Sequence, residues 1–255
     1  MKNLARYSYL SLVYVFFYLP IFVLIVYSFN DSQFSMVWHH FSGRWYQELL
    51  RDTGLQVIAL HSLLIGFLAA TIATLVGTQA AVALVYYKFF GKHALRTLVL
   101  VLIVSPEIVM GISLLILYSS VRVPLGFWTL LFSHITFCIP FVIVTVSSYL
   151  VGFDKNVYEA ARDLGATDLQ IFRKIFVPML LPAIMAGWLL SFTLSLDDVI
   201  ICYFVTGPEF QVLPLQIFSM VRLGVTPEVN ALCTVLFLIT ITIVFSAQYA
   251  LGKKR

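Results

Sequence analysis

The sequence predicts an all-α membrane protein with six transmembrane helices. Of its 255 residues, 61% are hydrophobic and only 11% are charged, whereas soluble domains carry about 25% charged residues. The mean hydropathy is +0.97, so membrane lipid rather than water is the expected surrounding. The apolar residues also fall into runs of the roughly 20 residues that a helix needs to cross a bilayer. Six runs qualify, at about 9–29, 58–86, 96–119, 128–150, 179–204 and 230–250.

The first run, 9–29, has the basic flank of a secretory signal peptide but is too long to be one. Lys2 and Arg6 precede it, and it ends at residues 27–30 without a small-residue cleavage site. We therefore interpret it as an uncleaved first span. The loop that follows, 30–57, contains several Trp and Tyr residues, and we expect these to anchor it at the level of the lipid headgroups.

The placement of Lys and Arg predicts that both termini lie in the cytoplasm. With the N-terminus inside, twelve of the 16 Lys and Arg residues fall on the cytoplasmic side and four on the outer side. Short cytoplasmic loops carry this excess in membrane proteins. The net charge of +4 therefore reflects topology, and no nucleic-acid partner is expected.

The three cysteines predict neither a metal site nor a redox motif. Cys138, Cys202 and Cys233 lie in apolar runs without a CxxC spacing. We expect them to be small buried core residues, which is the usual environment of a free cysteine.

The most informative soluble segment is the charged stretch 155–177, between the fourth and fifth runs. Its pattern predicts a short helix on which Ala160, Ala161 and Leu164 share one face, and Gly165 can take the left-handed conformation that ends such a helix. Small residues on an exposed helix let another protein approach closely. The alternative is a surface hairpin that only joins two spans.

A second short helix is predicted after Gly165. Asp168 lies near its start, where a negative charge suits the helix dipole, and Leu169, Phe172 and Ile175 form an apolar stripe. Pro178 is then expected to begin the fifth span, a position where its missing N–H costs little.

This segment resembles the EAA motif of the permease subunits of ABC importers. The motif has Glu-Ala-Ala, three residues, Gly, nine residues and Ile-x-Leu-Pro, and here only Val177 departs from it, in place of Leu. The resemblance implies two coupling helices that dock in a cleft of a separate ATPase subunit. The residues implied in this coupling are Glu159, Ala160, Ala161, Gly165, Ala166 and Pro178.

Further segments extend the resemblance over nearly the whole chain, to the C-type channel subunits of spermidine/putrescine importers. They are residues 105–110, 132–137, 196–199, 204–208 and 227–232. The resemblance implies a type I ABC importer permease fold filling residues 1–255 as one domain in a bacterial inner membrane. It also implies an ATPase dimer, a second homologous permease and a periplasmic polyamine-binding protein as partners. Because the chain has no GxxxxGK[ST] phosphate loop, ATP and Mg²⁺ are expected on the ATPase, with no cofactor or catalytic site here.

Three carboxylates lie inside predicted spans, where ionisable groups are costly and usually functional. They are Glu107 in the third span and Asp197 and Asp198 in the fifth. Adjacent helical residues point about 100° apart, so we expect one aspartate to face the substrate pathway and one a helix partner. Aromatic faces suit the ammonium groups of a polyamine, and the nearby candidates are Trp188, Tyr203 and Phe204.

Two alternatives remain open from the sequence. The chain could be a permease for another small solute, such as a sugar, a metal complex or an osmolyte. It could also be an integral-membrane enzyme using Asp197, Asp198 and His134, although no serine or HExxH-type spacing accompanies them. Without such partners, we expect His134 to form hydrogen bonds between helices.

Overall fold

The computed structural model describes residues 2–32, 37–152, 156–224 and 226–252, and these are almost entirely helical. Among them, the one isolated β-bridge pairs Asn30 with Phe41. The predicted all-α class is confirmed. The contacts divide the described chain into two compact units, one formed by residues up to 58 with 216–246, the other by 59–215 with the C-terminal end. The organisation as one domain stays a prediction.

The helices of the described residues vary from single turns to full membrane spans. In chain order they are α1 (Lys2–Tyr27), α2 (Arg44–Arg51), α3 (Thr53–Tyr86), α4 (Lys92–Val104), α5 (Glu107–Ser120), α6 (Phe127–Leu150), α7 (Asn156–Asp163), α8 (Asp168–Ile171), a π-helical segment (Phe172–Phe176), α9 (Val177–Asp197), α10 (Ile200–Val205), α11 (Leu213–Leu223) and α12 (Pro227–Gly252). Five helical runs are long and apolar enough to cross a membrane, namely those in α1, α3, α6, Asp168–Asp197 and α12. The pair α4 and α5 is a sixth candidate.

The third predicted span, 96–119, is not one straight helix. The axes of α4 and α5 are bent by 113° at the residues between them. Pro106 has no N–H to donate and its ring clashes with the preceding turn of a continuing helix. Proline also favours extended backbone at the residue before it, and Ser105 has φ −65° and ψ 133°. The break therefore follows from a single proline.

The continuous helix of the fifth span begins and ends earlier in the sequence than the predicted range 179–204. Helical structure is continuous over Asp168–Asp197, and it is interrupted at Asp198, whose φ of −73° and ψ of 112° are extended. The apolar residues after the interruption form the separate short helix α10. Hydropathy could not detect this break because apolar residues continue on both sides of it.

The second short helix expected in 155–177 is not a separate element. It passes from α8 through the π-helical segment into α9, so Pro178 lies within a continuous helical run rather than at its start. The Val177 N–H bonds to the Phe172 carbonyl, which is the five-residue spacing of a π-helix. Pro178 follows this π turn directly, at the junction with α9, and π turns and prolines are both common causes of a local change in helix geometry.

In the first unit, the side chains of Trp45 and Tyr46 form hydrogen bonds with residues that directly follow α1. The Trp45 side chain is only 8% exposed, and its Nε1–H donates to the Asn30 carbonyl at 2.8 Å. The Tyr46 hydroxyl lies 2.6 Å from the Ser28 Oγ. The expectation of headgroup anchoring is therefore wrong for the buried Trp45, whereas Tyr46 is half-buried and Trp38 is 42% exposed.

In the second unit, α3, α6 and α9 approach closely through small residues, as membrane helices commonly do. Val142 on α6 lies between a glycine of α3 and a glycine of α9. A Cβ added at Gly77 would lie 2.7 Å from the Val142 Cβ, whereas one added at Gly187 would lie 3.4 Å from the Val142 Cγ1. The first distance is a clash and the second is ordinary contact, so the α3–α6 crossing has no space for a methyl group.

We expect Gly77→Ala to destabilise the protein and Gly187→Ala to be tolerated. Both changes gain the same helix propensity, so their difference isolates the packing at Val142. Overpacking of a dense core costs about 1–3 kcal/mol. The measurement is the thermal unfolding midpoint of each variant in detergent, and equal midpoints would contradict the close crossing.

Candidate functional site

The three intramembrane carboxylates gather where two helical spans are interrupted. Glu107 is the first residue of α5, Asp197 is the last residue of α9, and Asp198 lies in the break before α10. The helices α5 and α10 pack against each other, because a Cβ added at Gly111 would lie 3.5 Å from the Ile201 Cα. The Glu107 and Asp198 carboxylates are close enough to interact electrostatically. The site therefore contains the broken ends of two neighbouring spans.

Asp198 is the aspartate that faces helix partners. It is 5% exposed, and its Oδ1 accepts the Ile201 N–H at 3.0 Å while its Oδ2 accepts the Cys202 N–H at 3.3 Å. These bonds satisfy backbone donors at the start of α10, which a bilayer interior could not otherwise satisfy. Asp198 is thus the carboxylate cap of α10.

Asp197 and Glu107 present their side chains at the surface of the chain. Both residues are exposed, in contrast to the buried Asp198. Both carboxylates lie at helix breaks within apolar spans, where ionisable groups are costly and usually functional.

His134 on α6 contacts both sides of the break in the fifth span. Its Nδ1 lies 2.6 Å from the Ser195 Oγ on α9, and its Nε2 lies 3.3 Å from the Cys202 Sγ on α10 and 3.5 Å from the Asp198 Oδ2. The imidazole is therefore an interhelical hydrogen-bonding group, as the sequence led us to expect. Its partners were not predicted, because α6 is distant from them in sequence.

Of the three aromatic candidates, Tyr203 and Phe204 are in contact, with ring centroids 5.4 Å apart, and Trp188 packs elsewhere. Trp188 donates its Nε1–H to the Thr71 Oγ1 at 3.1 Å and is part of the α3–α9 packing, roughly 13 Å along the helix from Asp197. The Phe204 ring packs on α5, where a Cβ at Gly111 would lie 2.7 Å from it. Only Tyr203, at 59% exposure, offers an open ring close to the carboxylates in sequence.

The predicted coupling segment is a short helix followed by a sharp turn; its first residue, Lys155, lies outside the described residues. Gly165 has φ +80°, as the sequence predicted, and a Cβ added there would meet nothing within 4 Å. Leu164 is 89% exposed but Ala161 is 7% exposed. The expectation that these two side chains share a face is wrong, because α7 ends at Asp163.

The other predicted coupling residues divide in the same way. Glu159, Ala160 and Pro178 are exposed, whereas Ala166 is half-buried and packs with Ala161 in the chain's own core. Only part of the motif is therefore open to a partner protein. Ala161 and Ala166 pack this segment against the rest of the chain.

A tyrosine cluster connects this segment to the fifth span. The Tyr158 hydroxyl donates to the Asp168 Oδ1 at 3.4 Å, and its ring stacks on Phe176 with centroids 6.1 Å apart. Burial, followed by the nearby Asp168 carboxylate and Tyr158, raises the pKa of Tyr87 to about 12, so this phenol stays neutral. Tyr158 therefore connects α7 to both α8 and the π-helical segment.

The chain matches a known family model and several characterised permeases. The model of the binding-protein-dependent transport system inner membrane component covers residues 62–255. The spermidine/putrescine transport system permease protein PotC of Escherichia coli (strain K12) is 50% identical over 246 residues, which cover 96% of this chain and 93% of that protein. The putrescine transport system permease protein PotI of the same strain is 42% identical over 252 residues, covering 96% and 89%.

Solved structures share the fold at low sequence identity. A bacterial ABC transporter involved in the import of the acidic polysaccharide alginate matches with a TM-score of 0.78 at 16% identity, covering 97% of this chain and 95% of that one. The MetNI methionine ABC transporter matches with a TM-score of 0.62 at 18% identity, covering 82% and 95%. The predicted importer-permease fold is confirmed, and the chain belongs to the family of binding-protein-dependent transport system inner membrane components.

Proposed function

We propose that this chain is a channel-forming subunit of an ATP-driven polyamine importer. The observation that carries the proposal is the pair of exposed carboxylates, Glu107 and Asp197, at two adjacent breaks in apolar spans. The names of the similar proteins PotC and PotI, which refer to spermidine and putrescine, support the same substrate class.

The chemistry of the site suits a linear polycation. A polyamine carries ammonium groups separated by flexible alkyl segments, so it needs spaced carboxylates and apolar or aromatic surface between them. Glu107 and Asp197 supply the charges, and the open Tyr203 ring supplies a cation–π contact. Asp198 contributes negative potential from its buried position, while Trp188 and Phe204 contribute through packing.

The driving step belongs to partner subunits. ATP and Mg²⁺ bind a separate ATPase dimer, which docks on the exposed residues Glu159, Ala160 and Gly165. Closure of that dimer moves α7, and the Tyr158 cluster passes the movement to α9 and the break at Asp198. A second homologous permease completes the pathway, and a periplasmic binding protein delivers the polyamine. Both termini lie in the cytoplasm of a bacterial cell, as the Lys and Arg distribution indicates.

The alternatives have less support. A different solute is compatible with the fold, since the alginate and methionine transporters share it. The alginate and methionine transporters, however, are only 16% and 18% identical in sequence to this chain, whereas PotC is 50% identical. An enzyme using Asp198 and His134 would need them to reach a substrate, and these two side chains are 5% and 1% exposed.

Asp197→Asn is expected to weaken polyamine uptake without affecting assembly. The change removes one exposed charge, and a hydrogen bond to a charged group is worth about 1.5–3 kcal/mol, so KM should rise about tenfold or more. The measurement is uptake kinetics of the complex in proteoliposomes.

Asp198→Asn is the matched comparison, and its expected effect is on folding. Asparagine keeps one acceptor oxygen but turns an NH₂ group toward a backbone donor of α10, so less complex should be recovered and its unfolding midpoint should fall. If Asp197→Asn kept the wild-type KM while a fully assembled Asp198→Asn complex raised it, the roles given to the two aspartates would be reversed.

Gly165→Asp is expected to release the ATPase and abolish ATP-dependent uptake. Gly91→Asp is the control, because Gly91 has a similar φ of +85° and an added Cβ there also meets nothing within 4 Å. Both variants bear the same backbone strain, so only a docking role separates them. Copurification of the ATPase through a tag on this chain measures the difference, and equal retention by both variants would disprove the docking assignment.

A further inference from the structure

The buried cluster at the break in the fifth span has the composition of a metal site. It consists of His134, Asp198 and Cys202, whose potential ligand atoms all lie within 4.8 Å of one another. These three residues are 1%, 5% and 1% exposed. We propose that the cluster binds a soft divalent cation such as Zn²⁺ or Cd²⁺, and that occupancy ties α10 to α6 and stops transport.

The two distances from the His134 Nε2 to the other ligand atoms fit a tetrahedral ion, and the Asp198 and Cys202 ligand atoms lie within 4.8 Å of each other. Bond lengths of Zn²⁺ to imidazole nitrogen, carboxylate oxygen and thiolate sulfur predict ligand–ligand separations of about 3.4–3.6 Å. The observed separations from the His134 Nε2 are 3.3 Å to the Cys202 Sγ and 3.5 Å to the Asp198 Oδ2. An ion could therefore bind with only small side-chain movements.

The surroundings orient the imidazole for metal binding. Histidine ligands usually donate the N–H of their other ring nitrogen to a nearby acceptor, which fixes the tautomer. The Ser195 Oγ lies 2.6 Å from the His134 Nδ1 and can accept a hydrogen bond from its N–H. In this tautomer the Nε2 lone pair points toward Cys202 and Asp198.

Charge and ligand softness select the kind of cation. On binding, Cys202 releases its thiol proton to solvent, and the thiolate and the Asp198 carboxylate together neutralise a divalent ion. A neutral complex is favoured in an apolar interior, where a net charge is costly. Sulfur and imidazole ligands prefer Zn²⁺ or Cd²⁺ to the hard ion Mg²⁺. The exposed carboxylates Glu107 and Asp197 draw cations toward the break.

The test uses Cd²⁺ as the probe and compares Cys202→Ser with Cys138→Ser in the reconstituted complex. Cys138 is a buried cysteine of the same region, but its Sγ lies 3.5 Å from the Ser191 carbonyl and it is not in the cluster. Wild type and Cys138→Ser should be inhibited at the same Cd²⁺ concentration. In Cys202→Ser, half-inhibition should require at least about tenfold more Cd²⁺, because loss of a ligand should cost no less affinity than the 10–100-fold typical for loss of a group that only orients one. External Mg²⁺ should not inhibit.

A spectroscopic readout tests the site without transport. Cd²⁺ should produce a sulfur-to-metal charge-transfer absorbance in wild type and Cys138→Ser that Cys202→Ser lacks. Equal Cd²⁺ sensitivity of the two variants, or equal absorbance, would overturn the proposal. The inhibition rests on the proposed transport function but the absorbance does not, so a complex that binds Cd²⁺ without importing polyamine would disprove the function and retain the site.

Discussion

The structure depends on one constraint: inside a bilayer, every backbone N–H and C=O must find a partner within the protein. An unbroken helix meets this demand by itself, but an interrupted one does not. At the break in the fifth span, side chains supply the missing partners at both ends of α10. Asp198 accepts two N–H groups at its start, and the Thr129 hydroxyl donates to the Val205 carbonyl at its end, at 2.8 Å. The break is therefore stabilised by specific side-chain hydrogen bonds at both ends of α10.

This satisfaction of the backbone explains why charged residues can occur at such depth. A carboxylate that caps a helix has donors and the positive end of a helix dipole close by, so Asp198 tolerates burial. Its neighbour Asp197 is the last residue of α9 and is exposed. Two adjacent acidic residues thus divide into a structural group and a surface group. The extended backbone at Asp198 separates them more effectively than the turn of a helix would.

Composition and hydrophobic runs were sufficient to predict the class, because the bilayer imposes one length on every span. The sequence likewise predicted the left-handed conformation of Gly165, while the coupling role of its segment stays a prediction. The contacts of His134 could not be predicted, since its partners Ser195 and Cys202 are brought to it only by the packing of α6 on α9 and α10. Ala161 was misjudged for a related reason: its sequence neighbours are exposed, and only the tertiary fold shows which face of α7 is covered.

The π-helical segment Phe172–Phe176 has a consequence for comparing related sequences. A π turn accommodates one residue more than an α turn, so a relative with an uninterrupted α-helix here would need one residue fewer between its glycine and its span. An alignment without a gap would then shift every position of α9 by about 100° around the helix axis. Residue correspondences across this segment should be set by the faces of the helix, with the extra residue assigned to the π turn.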